Sequence, residues 1–172
     1  LFTAVTICAY SLVDGIGGRL AGSANAYSVA LFVGIGPVMV VYAFRSDAAG
    51  HRKYREWLQA TVNGDEAYGV APQALSSFVR ITTNRRVFAR PSRLDEALLF
   101  CHALMEQPHC QVIHPGPRHW KIFADLCRHS KATGNLVADA WFAALAIESG
   151  CEWITTDRDY ARFEGLRWRT PV

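Results

Sequence analysis

The chain has 172 residues, 51% hydrophobic and 19% charged, which is enough apolar side chain for one sizeable core and excludes a disordered chain. A formal net charge of +3 and a pI near 8.7 permit a phosphate-bearing partner without amounting to a nucleic-acid signature. The five cysteines, Cys8, Cys101, Cys110, Cys127 and Cys151, are odd in number and irregularly spaced, which argues against a disulfide framework and for a reducing cytoplasm.

No charged residue occurs between Arg19 and Arg45, and residues 26–44 are long and apolar enough to cross a bilayer, so a membrane anchor is one reading. Gly34, Gly36 and Pro37 argue against it, because they divide the run into a buried strand over Val29–Ile35 and a helix over Pro37–Arg45 with proline in its first turn. A secretory signal is not expected either, since the amino-terminal stretch carries no basic residue.

From His51 onward the pattern is an α/β alternation. Tyr54, Trp57, Leu58 and Thr61 mark a helix, Ala67–Ala71 a short strand, and Pro72 the start of a helix through Leu75, Phe78, Val79 and Ile81. Ser92 and Asp95 form a capping-box-like start for a helix carrying Leu94, Ala97, Leu98, Cys101 and Met105. Cys110–His114 is the next strand, followed by a helix through Trp120, Phe123, Ala124 and Cys127. Cys101, His102, Cys110 and His114 do not make a zinc site, for no CxxC or HxxxH pair is present.

Asn135–Ile147 contains one charge, Asp139, within an apolar helical pattern of Leu136, Ala140, Ala143, Ala144 and Ile147. A carboxylate on so apolar a helix calls for a cation or a hydrogen-bond network, or else serves as a first-turn acid against the helix dipole. The strand Trp153–Thr156 runs into Asp157-Arg158-Asp159, then a short helix over Arg158–Phe163 and a strand around Leu166–Arg169. Asp157 is either a metal ligand or the N-cap of that short helix. Strands separated by helices imply a mostly parallel sheet with its site at the carboxyl ends of the strands, where Asp157 falls.

Taken together, VYAFRSD (Val41–Asp47), FVRITTNRRVF (Phe78–Phe88), HPGPRHW (His114–Trp120), GNLVADAWFAALAIESG (Gly134–Gly150) and TTDRDYARFEGLRW (Thr155–Trp168) resemble the PIN-domain ribonucleases, specifically VapC-type toxins of bacterial toxin–antitoxin pairs. The resemblance implies a three-layer α/β/α PIN-like domain over residues 29–172 with a mostly parallel central sheet. It further implies an endoribonuclease that binds Mg²⁺ or Mn²⁺, is inhibited by a VapB-like antitoxin, and forms a homodimer. Asp139 and Asp157 match the family's metal-binding acids, and Asp159 is a supporting catalytic acid.

Two departures accompany the match: Gly36 and Val38 stand where the family has Asp and Asn, and Ser77 where it commonly has Glu. They open an alternative, a catalytically impaired PIN fold that only binds antitoxin or RNA. Residues 1–28 are an atypical extension, disordered or of the kind that translation upstream of a disrupted reading frame would produce. Arg80, Arg85 and Arg86, with Arg90 beside them, are the expected RNA contacts, against a bland reading as a solvated face. Arg118, Lys121, Arg128 and Lys131 offer a second basic helix, and Trp120 and Trp141 are expected in the core more than on bases.

Overall fold

The computed structural model describes residues 32–171, with side chains from Gly36 onward. The extension over 1–28, Val29 and the start of its strand, and Cys8 lie outside the described residues. The elements run β1 (Phe32–Ile35), α1 (Pro37–Phe44), α2 (His51–Val62), β2 (Ala67–Val70), α3 (Pro72–Thr82), α4 (Leu94–Met105), β3 (Cys110–Val112), α5 (His119–Ser130), α6 (Asn135–Ser149), β4 (Glu152–Ile154), a 3₁₀ turn (Arg158–Arg162) and β5 (Trp168–Arg169). The strand order is β3-β2-β1-β4-β5, and all four pairings are parallel. The α/β/α expectation is met.

Helices cover both faces of this sheet, as all-parallel sheets require. On one face Met39, Val40, Tyr68, Phe78, Ala97 and Leu104 from α1, β2, α3 and α4 form a closed core. Within it the Phe78 ring meets Phe44 edge-on at 5.2 Å and Phe100 at 5.6 Å. On the other face α5, α6 and the 3₁₀ turn enclose Ala140, Ala143, Ala144, Leu145, Trp153 and Tyr160. The run of small alanines in α6 lets its backbone approach its neighbours closely enough for Phe142 to stack on Trp153 at 5.5 Å.

Single residues join β1 to α1 (Gly36) and β2 to α3 (Ala71), and Pro37 and Pro72 open the two helices where a missing N–H costs nothing. The apolar run over 26–44 is therefore not one helix: within its described part a strand ends at Ile35 and a helix begins at Pro37. Among the described residues no helix is long and apolar enough to cross a membrane.

Other boundaries shift for identifiable reasons. The expected capping box at Ser92 does not form, because α4 starts at Leu94 with Arg93 as an N-cap lacking a side-chain hydrogen bond. The Ser92 hydroxyl instead accepts from Arg45 Nη1 at 2.8 Å. The long connection from β3 to α5 is pinned to α6: the Glu148 carboxylate accepts from the backbone N–H groups of Gly116 and Arg118, each at 2.7 Å. Trp120 stands outside the core at 68% exposure, contrary to the expectation from its helical spacing.

Candidate active site

The strand order reverses between β1 and β4, since β2 and β3 extend the sheet from one side of β1 while β4 and β5 extend it from the other. At such a switch point the connections leave in opposite directions and open a crevice at the carboxyl ends. Gly36 follows β1 there and Thr155–Asp157 follows β4, and the two are joined by Gly36 N–H donating to Ile154 O at 3.1 Å.

Asp157 serves as the N-cap of the 3₁₀ turn, its Oδ1 accepting from Asp159 N–H at 2.9 Å. Its own N–H donates to the buried Thr155 Oγ1 at 3.1 Å. The capping reading of Asp157 therefore holds at the level of one carboxylate oxygen. The second oxygen is not engaged in that cap, and Asp157 and Asp159 are both exposed.

Asp139 is not a first-turn acid, for α6 begins at Asn135 and its first turn contains no acidic residue. It is half-buried. Burial first, then the negative charge of Asp157, push its carboxyl above the ordinary carboxylate value, with a smaller push from Asp159. The Tyr160 hydroxyl, facing it as a hydrogen-bond donor, opposes that shift. Burial and then the Asp139 charge hold the Tyr160 phenol far above its usual range, so that it acts as a neutral donor. Behind it lies Trp153, 1% exposed, whose indole N–H is directed toward Tyr160 without completing a hydrogen bond.

The structure thus brings Asp139, Asp157 and Asp159 into one electrostatic field. It does not bring them into a closed shell: among the described residues no group of three His, Cys, Asp or Glu side chains is drawn together as a metal cage. An oxygen-only pair of like charges, one of them partly desolvated, fits a hard divalent cation that keeps much of its water, since Mg²⁺ is ordinarily held by one or two carboxylates. Asp139 and Asp157 are the residues that would hold it.

Gly36 supplies no carboxylate, and the space beside it is filled. A Cβ built there would lie 3.0 Å from Ile154 O and 3.4 Å from Trp153 Cζ2. Its backbone conformation, φ −72° and ψ 152°, is open to any residue, so the obstacle is contact alone. Because the tightest neighbour is a ladder carbonyl, Gly36→Ala is expected to lower stability by about 1–2 kcal/mol, the usual scale of overpacking. Urea unfolding checks this, and an unchanged midpoint would mean that the β1–β4 ladder yields without strain.

The expected RNA-binding arginines lie elsewhere. α3 leaves the carboxyl end of β2 at Pro72, and Arg80, Arg85 and Arg86 sit at or beyond its far end, about 16 Å along an 11-residue helix. They are exposed. Ser77 is half-buried midway along the same helix. Reading the sequence missed Tyr160, Trp153 and Thr155 as parts of the site; the one available signal was a hydroxyl-bearing ring one residue after Asp159.

Comparison with known proteins agrees with this fold. The PIN domain family model matches residues 39–166. VapC ribonuclease Mb2897 of Mycobacterium bovis is 41% identical over 134 residues, covering 78% of this chain and 91% of that protein. Ribonuclease VapC25 of Mycobacterium tuberculosis is 38% identical over 133 residues, covering 77% and 94%. Among solved structures, VapBC2 from Rickettsia felis bound to a promoter DNA fragment superposes with a TM-score of 0.61 at 12% identity, covering 81% of this chain and 98% of that one. The sarcin–ricin-loop-cleaving toxin VapC20 of M. tuberculosis gives 0.57 at 14% identity, covering 78% and 98%. With a family model spanning most of its length and relatives near 40% identity, the chain belongs to the PIN domain family, among the VapC ribonucleases.

Proposed function

We propose that the chain is an endoribonuclease toxin of a toxin–antitoxin pair, acting in the cytoplasm on RNA phosphodiester bonds with Mg²⁺ or Mn²⁺ held by Asp139 and Asp157. The observation that carries this reading is the partly desolvated Asp139 facing a second carboxylate at the switch point of a parallel sheet. What a bound divalent ion supplies is a lowered pKa for its water and neutralisation of charge developing on the phosphate. The protein's own groups do the rest. Tyr160 lies against Asp139 as a neutral hydroxyl that favours its charged form, Thr155 fixes the backbone at Asp157, and the exposed Asp159 is a supporting acid.

A VapB-like antitoxin and a second copy of the chain are the proposed protein partners. An apolar groove of about 500 Å³ between α3 and α4, lined by Leu75, Val79, Leu98, Cys101 and Met105, supplies surface of the kind such partners need. Leu94 and Leu99 of α4 are exposed apolar side chains as well, at 55% and 71%.

The test is cleavage of a labelled structured RNA by the purified chain with Mg²⁺ or Mn²⁺ and with EDTA. Cuts that require the metal are expected. Absence of cleavage at every metal concentration, with antitoxin binding retained, would overturn this reading in favour of a binding-only fold lacking the acid at position 36.

A further inference from the structure

The connection from α3 to α4 concentrates the charge of the molecule. Between Arg80 and Glu96 there are five arginines and two carboxylates, a local net charge of +3 that equals that of the whole chain. The rest of the sequence is balanced. Of the five, only Arg93 forms an ion pair, with Asp95 at 3.6 Å, while Arg80, Arg85, Arg86 and Arg90 are exposed and have none among the described residues.

Surface arginines on a floppy loop would be unremarkable, but this loop is built. Asn84 Oδ1 accepts from Arg86 N–H at 2.8 Å, and Asn84 O accepts from Phe88 N–H at 3.0 Å, closing a turn that presents Arg85 and Arg86 together. Ser92 N–H donates to Thr82 O at 2.9 Å and ties the loop's exit to the end of α3. A sixth arginine holds the loop from beneath. The Arg45 side chain, 11% exposed, donates from Nε to Asp47 Oδ1 at 2.8 Å and from Nη2 to Asp47 Oδ2, and from Nη1 to Ser92 Oγ at 2.8 Å. Its guanidinium lies 4.3 Å from the centre of the Phe88 ring.

We infer that this loop is a phosphate-binding platform that grips the RNA strand away from the bond being cut, and that Arg45 is the positioning residue that holds it in shape. The inference rests on the proposed ribonuclease function and adds a second contact to it. Asp47 neutralises Arg45, so the clamp contributes geometry and the four unpaired guanidiniums contribute charge. Guanidinium forks suit phosphate oxygens. α1 and α3 each begin one residue beyond the carboxyl end of a strand and the loop follows their far ends, so the platform is set apart from Asp139 and Asp157. Contact there raises affinity and residence without touching the reacting atoms.

The test is fluorescence anisotropy of a labelled single-stranded RNA with the full chain in EDTA, over a series of salt concentrations. Arg85→Ala with Arg86→Ala is expected to weaken binding on the order of tenfold at low salt and to reduce the salt slope by about 1.4, at roughly 0.7 per lost phosphate contact on a single strand. Arg45→Gln with Asp47→Asn leaves net charge unchanged; it is expected to weaken binding several-fold at every salt concentration with the slope preserved, and Arg45→Lys is expected not to restore it. These affinities are read well below each variant's melting temperature, so that loss of fold does not enter.

Unchanged affinity and slope in the Arg85/Arg86 variant, while the parent binds, would overturn the platform and leave the ribonuclease reading standing on its metal-dependent cleavage. Retained RNA binding with loss of antitoxin capture would assign the loop to a protein partner and overturn the inference. A parent chain that neither binds nor cuts RNA would overturn both.

Discussion

Asp139→Asn is expected to remove metal-dependent RNA cleavage, by about 100-fold or more, and at the same time to make the metal-free protein more stable at neutral pH. The first effect follows because Asp139 is one of two proposed cation-holding groups, and mispositioning of the reacting water by about 1 Å costs on the order of 100-fold. The second follows from linkage. The Asp139 carboxyl is held above its ordinary value of 3.8 by burial and then by the Asp157 charge, so between the two values the folded state retains a proton that the unfolded state releases. Stability from this group is therefore present at acid pH and lost as pH rises through the raised value. At neutral pH the ionised carboxylate is a standing liability, which an amide avoids. Thermal melts in EDTA from acid to neutral pH should show the variant gaining on the parent as pH rises, and Mn²⁺ should raise the parent's melting temperature and not the variant's. A variant less stable than the parent at neutral pH, or still protected by Mn²⁺, would remove Asp139 from the proposed site. Acids kept where they destabilise the fold are characteristic of functional positions.

The largest effect on stability is expected at Phe78. Its side chain is 0% exposed and joins α1, α3 and α4 through Phe44 and Phe100. Truncation to alanine should lower the unfolding free energy by about 3–5 kcal/mol, which combines lost transfer free energy with the cavity left behind. Against a typical total of about 5–15 kcal/mol, that brings the domain close to unfolding at moderate temperature. Urea titration should show a shifted midpoint with little change in slope. A loss under about 1 kcal/mol would mean that neighbouring rings collapse into the space and that this face of the sheet is not packed as described.

How far the sequence disclosed the structure depends on the range of the interaction concerned. The helices carrying Phe78 and Asp139 were legible because their apolar periodicity is local, and proline marked the starts of α1 and α3. Asp157 at the end of β4 was legible for the same reason. The start of α4 was misplaced because Ser92, a good cap by type, has its hydroxyl committed to Arg45, far away in sequence. The first-turn reading of Asp139 failed although the start of the helix was legible at Asn135, because four residues precede Asp139 in α6 and carry it past the first turn. The Tyr160 contact with Asp139, the filled space beside Gly36 and the clamp under the basic loop all join residues that only the tertiary fold brings together. Arg80, Arg85 and Arg86 were recognisable as a charge cluster, but their position at the far end of α3 was not.

The register of the sheet has a consequence for synthesis. β1 is the central strand, and Val33 pairs with Tyr68 on one side but must wait for Glu152 on the other. On the ribosome the nascent chain can assemble β1, β2 and β3 with their helices while one edge of β1 stays open, and pairings so distant in sequence form slowly. Gly36 acquires its Ile154 partner only after the intervening residues have been made. Asp157 follows three residues after that. The two halves of the site therefore meet only once β4 has been made, so a chain interrupted before it carries no assembled acidic crevice and instead exposes a strand edge prone to aggregation.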